Sequence, residues 1–294
     1  MTAPTSLTTA LAQLRKLEKL LADAGAENPA GDAREILGAV MGCQPNLLRS
    51  KYENILSSEQ LDKAVSMAKR RASGEPIQYV LGLWSFMGRD YKVGQGVLIP
   101  RDDTEVLVGE ALCMIRSVPR PRIVDLCSGT GIIAITLAKE LDATVYAVEK
   151  SDRAFAYLTE NIALNQADVK AIHADLRDCT DGFDDGSLDM IVSNPPYIRS
   201  DEIAGLQSEV RYEPRLALDG GESGFDFYEM IIRLWTPKLK ESGTIAFELG
   251  EGQFDYVAKL LKAAGYTNII GYPDIQGITR AVTAEYGERL TKNG

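Results

Sequence analysis

The chain has a single histidine, His173, and four cysteines, at positions 43, 113, 127 and 179, no two of them close in sequence. Zinc sites are built from Cys and His at short fixed spacings, so the usual ones are excluded and no metal is expected. A Ser-His-Asp mechanism would have only His173 to draw on. That residue falls in a predicted strand, residues 170–175, where a structural role is expected. No apolar run approaches the ~20 residues of a membrane helix. Met1-Thr-Ala-Pro-Thr also lacks the basic start and apolar core of an export signal. The expectation is a cytoplasmic chain with reduced thiols and no membrane partner. An excess of positive charge is missing too: the net charge is −10 and the pI about 4.8. Such a chain repels phosphate backbones on average, so nucleic acid is not expected to bind directly.

What is present is an ordinary soluble composition, 45% apolar and 25% charged, over 294 residues. That length suits one large or two ordinary domains. In the first third, Leu7, Leu11, Leu14, Leu17 and Leu21 recur at spacings of three and four, which predicts one helical face, with Gly25 as its stop. Ala33, Ile36, Leu37, Val40 and Met41 predict a second helix ending at Gly42. A third is predicted to begin after Ser57, with Gln60 completing a capping box, and to end at Lys69-Arg70-Arg71. A bundle of about 75 residues is only marginally stable alone. It either recognises a macromolecular partner or braces the larger, C-terminal part of the chain.

Residues 76–100 alternate short apolar groups with glycines and read as a β-hairpin linker. Arg101-Asp102-Asp103-Thr104-Glu105 then opens a helix, with Asp or Thr as its N-cap. Arg101 sits at the positive end of that helix, where a cation is unwelcome, and so is a candidate ligand-binding residue.

From residue 122 strands and helices alternate, which predicts a parallel sheet covered on both faces. Residues 123–126 form the first strand and Cys127-Ser128-Gly129-Thr130-Gly131 a tight loop. The second strand ends in Glu149, about 20 residues past Gly129, where a carboxylate can accept from both hydroxyls of a ribose. The third ends in Asp175, placed to meet an adenine amino group or a nearby water. Two ligands compete for this half-site. Gly129-Thr-Gly131-Ile-Ile-Ala134 satisfies the dinucleotide fingerprint, which would make the chain a nicotinamide oxidoreductase. Asp125, just before the loop, suits a cationic amino group better than a pyrophosphate. S-adenosylmethionine carries such a group and no phosphate.

A fourth strand, residues 188–192, runs into Ser193-Asn194-Pro195-Pro196-Tyr197. The two prolines cannot continue a ladder and hold the residues before them extended. The loop is stiff and stands at the carboxyl end of a strand, where open α/β sheets place ligands. Asn194 offers a side-chain carbonyl, Pro195 a backbone carbonyl and Tyr197 a flat face, a set that suits a planar –NH2 group.

Asp125 to Gly131, Glu149 and the Asn-Pro-Pro-Tyr loop together resemble the amino-methyltransferases that use S-adenosylmethionine. The flanks narrow the likeness. Glu75-Pro76-Ile-Gln-Tyr79-Val-Leu-Gly82, Phe86-Met-Gly88, Ile99-Pro100-Arg101-Asp-Asp-Thr104-Glu105 and Arg211-Tyr-Glu213-Pro214 resemble the HemK-type family, which methylates the glutamine of the Gly-Gly-Gln loop in bacterial peptide chain release factors. The resemblance implies an α/β fold, a Rossmann-like S-adenosylmethionine-dependent methyltransferase sheet with a reversed final strand and a small N-terminal helical bundle. It implies a bundle over residues 1–75, a hairpin over 76–100 and the methyltransferase domain over 101–294. It implies a release factor as protein substrate, met by a cytoplasmic monomer. Asn194, Pro195 and Tyr197 would be catalytic. Asp125, Cys127, Ser128, Gly129, Thr130, Gly131, Glu149, Asp175, Leu176 and Asn194 would hold the cofactor. Asn194, Pro195, Pro196, Tyr197, Phe86 and Arg101 would meet the substrate, with Phe86 and Tyr197 sandwiching its amide. Cys127 stands where the family often has glycine, so its φ is expected to suit a side chain. Glu213 either orients the catalytic loop or is a surface acid. A DNA adenine or cytosine methyltransferase shares Asn-Pro-Pro-Tyr but needs a grip on phosphates. A non-catalytic binding protein would keep the fold without turnover.

Overall fold

The computed structural model of the chain describes residues 8–207 and 209–287. These fall into two compact units. The first runs to Leu83 and takes in the segment Gln207–Tyr212; the second holds Trp84–Leu206 and the described residues from Glu213 on.

In the first unit, α1 (Ala10–Asp23), α2 (Pro29–Met41) and α3 (Ser58–Ala72) close around one apolar cluster. The predicted leucine stripe supplies Leu14, Leu17 and Leu21, met by Ile36, Leu37, Ala64 and Ala68. Leu11 is only half-buried, and Leu7 lies outside the described residues. Ser57 and Gln60 make both bonds of the capping box, at 3.1 and 3.0 Å. Gly42 ends α2 in the left-handed region, at φ 62°. The basic end of α3 does more than face a helix dipole. Arg71 is buried and pairs with Asp32 at 2.7 Å and with Glu209, carried in on the returning segment, at 2.5 Å.

The predicted hairpin starts later than residue 76. Ile77–Leu81 is one helical turn, α4, stopped by Gly82 at φ 75°. Helical spacing puts Ile77 and Val80 together on the apolar cluster, which a strand's alternation would not do. The hairpin itself is β1 (Leu83–Phe86) and β2 (Arg89–Lys92), followed by an irregular run to Pro100.

The second unit is built on one seven-stranded sheet. Its strands are β3 (Arg122–Leu126), β4 (Thr144–Glu149), β5 (Val169–His173), β6 (Leu188–Ser193), β7 (Leu239–Glu248), β8 (Tyr266–Pro273) and β9 (Thr279–Tyr286). Their order is β5-β4-β3-β6-β7-β9-β8, and only β9 runs antiparallel to its neighbours, as the resemblance implied. One face packs on α5 (Asp103–Ile115), α6 (Ile132–Glu140) and α7 (Asp152–Asn165); the other packs on α8 (Asp226–Trp235) and α9 (Phe254–Ala263). The alternation of each strand decides the face. Ile123, Val145, Met190 and Val192 go to the first; Val124, Leu126, Ile191 and Phe247 go to the second. With both faces covered, the central strands carry apolar residues on both sides, broken in β3 by Asp125.

Candidate active site

The sheet changes winding direction at β3 and β6, which open α/β sheets use as a binding crevice. β3 and β6 are hydrogen-bonded neighbours with Leu126 opposite Ser193. Ser193 Oγ donates to the Leu126 carbonyl at 2.5 Å and locks the two strand ends together. The glycine-rich loop and the Asn-Pro-Pro-Tyr loop therefore leave the sheet side by side.

The first loop turns through Gly129 and Gly131. Gly131 has φ 85°, and a Cβ there would stand 2.5 Å from Leu158 Cδ1, so only glycine lets the loop meet α7 this closely. Cys127 corrects the expectation about its backbone. Its φ is 61°, in the region glycine favours, so the side chain is carried at a steric cost instead of avoiding one. Burial pushes its thiol up, away from the thiolate form.

A pocket lies over these strand ends. Cys127, Ser128, Gly129 and Thr130 line it from the loop, Glu149, Asp175 and Leu176 from the next two strand ends, and Asn194 and Pro196 from the fourth. Glu149 is held rigidly: Oε2 accepts from Gly129 N at 2.8 Å and Oε1 from Ser151 N at 2.7 Å. Each oxygen keeps a lone pair for a ligand hydroxyl. Asp175 pairs with Arg177 at 2.6 Å and with Lys150 at 2.8 Å, and the Arg177 guanidinium holds its carboxyl well below the usual range.

Asp125 is placed differently from the expectation that it meets a cationic amino group of the ligand. Strand alternation turns it to the helix side of the sheet, where it is fully buried and does not line the pocket. Oδ2 accepts from Ala134 N in the first turn of α6 at 3.2 Å, and Oδ1 has no partner. Burial pushes the carboxyl up to about 8, with the Glu149 charge adding to the rise.

Phe86 is not brought to the pocket. It is buried in the core against Tyr91, ring centroids 6.3 Å apart. The pocket wall contributed by that part of the chain is Leu98, Ile99 and Pro100, apolar residues whose irregular backbone gave no periodic signal. Arg101 does line the pocket, and its guanidinium donates to Glu213. Glu213 is buried, not a surface acid. It also accepts from Ile99 N at 2.8 Å and so ties down residues 99–101.

In the second loop Pro195 and Pro196 are buried, and Asn194 and Tyr197 half-buried. Asn194 and Pro196 face the pocket; Pro195 and Tyr197 do not line it. The Tyr197 ring packs on the core, and its hydroxyl donates to Glu248 Oε1 at 3.3 Å. Ile198 bridges to Asp219, and a Cβ on the adjoining Gly220 would stand 2.7 Å from Tyr197 Cα. Gln253 and Glu248, which composition and motif did not single out, complete the support with Thr104, which the sequence offered only as an N-cap and as part of a motif. Gln253 Nε2 donates to the Tyr197 carbonyl at 2.9 Å. Thr104 does not cap α5; its hydroxyl donates to Glu248 Oε2 at 2.6 Å. The available signal was an acid inside the apolar run Thr244-Ile-Ala-Phe-Glu-Leu249. Burial pushes Glu248 up to about 7.

The cations on the pocket wall, Arg101, Lys150 and Arg177, are each paired with a carboxylate. Glu149 and the loop carbonyls are left to face a ligand that donates hydrogen bonds. That acceptor set fits ribose hydroxyls and a cationic group better than a pyrophosphate.

The chain matches the family model described as PrmC N-terminal domain over residues 12–82, and the Methyltransferase small domain over residues 104–209. It is 38% identical over 270 residues to the release factor glutamine methyltransferase of Geobacter sulfurreducens, covering 91% of this chain and 93% of that protein. To the protein of the same name from Thermodesulfovibrio yellowstonii it is 36% identical over 263 residues, covering 88% and 93%. Among solved structures, the hMettl16 catalytic domain in complex with MAT2A 3'UTR hairpin 1 aligns with a TM-score of 0.58 at 13% identity, covering 87% of this chain and 92% of that one. At that identity the likeness shows the fold alone.

Proposed function

The chain belongs to the release factor glutamine methyltransferases, and on that premise we propose how its second unit carries out the reaction. The pocket at the ends of β3, β4, β5 and β6 takes S-adenosylmethionine. The methyl group goes to the side-chain amide nitrogen of the glutamine in the Gly-Gly-Gln loop of a bacterial peptide chain release factor. The observation that carries this reading is the β3–β6 register, Leu126 opposite Ser193, which sets the glycine-rich loop beside Asn194.

When bound, S-adenosylmethionine supplies an electrophilic methyl carbon. Glu149 would accept the ribose hydroxyls, and Leu176 and the backbone of Cys127 to Gly129 would hold the rest of the cofactor. The substrate amide is a poor nucleophile, because its nitrogen lone pair is delocalised into the carbonyl. Asn194 Oδ1 and the Pro195 carbonyl each accept one of its N–H bonds. They would orient the nitrogen for attack and favour the positive charge it gains in the transition state. Tyr197 sets the path of the loop. Its ring is turned to the core, so Leu98 and Pro100 take over the apolar wall expected of Phe86. The product proton leaves to water, and positioning supplies most of the rate.

The helical unit recognises the release factor, the protein works as a cytoplasmic monomer, and nucleic acid takes no direct part. No helix among the described residues is long and apolar enough to cross a membrane. Incubation of the protein with a purified release factor and S-adenosylmethionine is expected to add one methyl mass to the Gly-Gly-Gln glutamine. An unmodified glutamine under conditions where the cofactor is bound overturns the reading.

A further inference from the structure

We propose that Glu248 is a positioning residue for methyl transfer: together with Thr104 it sets which end of the Asn194 amide faces the substrate. The proposal rests on the methyltransferase function proposed for the second unit. Glu248 is the last residue of β7, is 1% exposed and does not line the pocket, so it cannot act on substrate directly. The β6–β7 register pairs Ser193 with Phe247, which brings the following residues, Asn194 and Glu248, out of the sheet together.

Two donors converge on this one carboxyl: Oε2 accepts the Thr104 hydroxyl at 2.6 Å and Oε1 accepts the Tyr197 hydroxyl at 3.3 Å, and the Asn194 side chain reaches it through Thr104. Thr104 has committed its only hydroxyl proton to Glu248 and offers lone pairs alone; Asn194 Nδ2 donates to it at 3.4 Å. A carboxamide is nearly symmetric in shape and opposite in role at its two ends. Turned over, Asn194 would set Oδ1 against the Thr104 oxygen, which has no spare proton. The ionised carboxyl therefore holds Nδ2 inward and leaves Oδ1 free for the pocket. An N–H of the substrate amide can be accepted only by that end.

Protonation of Glu248 removes an acceptor and adds a donor, which weakens the preference. The groups facing it are Asp103 from α5, Tyr197 from the loop after β6 and Tyr228 from α8, whose hydroxyl donates to the Glu248 carbonyl at 2.8 Å. Arg280 from β9 stands beyond Tyr197 and is held by Asp103 at 3.2 Å and Asp274 at 3.0 Å. With burial holding the carboxyl up to about 7, the change falls close to neutral pH.

The test uses the full chain, a purified release factor and S-adenosylmethionine. Wild-type protein that binds cofactor but transfers no methyl group would sink the function itself, not this inference. Given wild-type transfer, Glu248→Gln is isosteric but brings an –NH2 toward donors. It is expected to lower kcat by about 100-fold or more, the scale of losing one preorganised group at a reacting centre. Its dissociation constant for S-adenosylmethionine, by calorimetry, is expected to stay within about threefold of wild type. Thr104→Val is expected to do the same, and Thr104→Ser, which restores the hydroxyl, to recover most of kcat. The wild-type kcat is expected to fall as pH drops below about 7, a limb that Glu248→Gln lacks. The proposal is overturned by a Glu248→Gln or Thr104→Val enzyme with near-normal kcat, or by cofactor affinity lost in step with activity. Should Glu248→Gln fail to fold, the Thr104 pair decides: equal kcat for the Val and Ser variants overturns it.

Discussion

The side-chain amide of Gln253 donates to the backbone carbonyl of Tyr197 at 2.9 Å, across 56 residues of sequence. The same amide donates to the Gly224 carbonyl at 3.3 Å, while its oxygen accepts from Gly250 N at 2.9 Å. One side chain thus ties the end of the Asn-Pro-Pro-Tyr loop to the turn after β7. Replacing it with alanine strands several buried polar groups at once. Gln253→Ala is expected to lower unfolding free energy by roughly 1–3 kcal/mol in urea titration and to reduce kcat more than cofactor affinity. A variant with unchanged stability would mean that the loop does not depend on this clamp.

Asn194 and Thr104 both line the pocket, and Asn194 Nδ2 donates to the Thr104 hydroxyl. Asn194→Ala removes the acceptor and leaves the cofactor wall in place. Methyl transfer is expected to fall by at least about 100-fold while S-adenosylmethionine binding weakens far less. Radiolabelled methyl transfer at near-normal rate would remove Asn194 from the reaction.

Glu149 holds two backbone N–H groups as well as facing the pocket. For Glu149→Ala we expect cofactor affinity to drop by on the order of 10–100-fold, from the lost hydroxyl acceptors and a loosened Gly129. Calorimetry reads this directly, and an unaltered dissociation constant would take Glu149 out of the site.

Asp125 gives a pH signature. Its carboxyl is raised by burial to about 8, above the ordinary value of an unfolded chain. The sign comes from proton binding: between those values the folded state holds more protons than the unfolded one, so stability falls as pH rises. The contribution is full below the unfolded value and lost by about pH 8. Asp125→Asn keeps an acceptor for Ala134 N and cannot ionise. Between pH 6 and pH 8, wild type without cofactor is expected to lose on the order of 2 kcal/mol relative to this variant. Parallel stability curves for the two proteins would show that Asp125 does not titrate in that window.

Arg71 is buried between Asp32 and Glu209. Arg71→Ala leaves Asp32 inside the helical unit without its partner, which typically costs about 3–5 kcal/mol. Denaturation should show the loss, and a drop below about 1 kcal/mol would mean that water or another group reaches Asp32.

Much of the site was legible where its signal is local. Glycines at 129 and 131, an acid ending the second strand and two prolines after the fourth each constrain the backbone in place, so motif spacing located them. The capping box at Ser57 and the left-handed stop at Gly42 are likewise properties of a few adjacent residues. Phe86 and Leu98 show the limit. Both are apolar residues near glycines, and nothing local says which joins the core and which the pocket. Asp125 was placed on the correct strand end and given the wrong outlook, because the face it takes depends on where α6 packs.

The sequence by itself determined the parallel order of strand and helix, the two loops that meet at the pocket, and the family. Those come from period, turn chemistry and motif, which act over a few residues. Only the tertiary structure decided that Glu248, Thr104 and Gln253 support the Asn-Pro-Pro-Tyr loop, and that Tyr197 turns its ring to the core. Such supports join positions 50 to 150 residues apart, and their partners are chosen by sheet register and burial, which no short stretch of chain encodes.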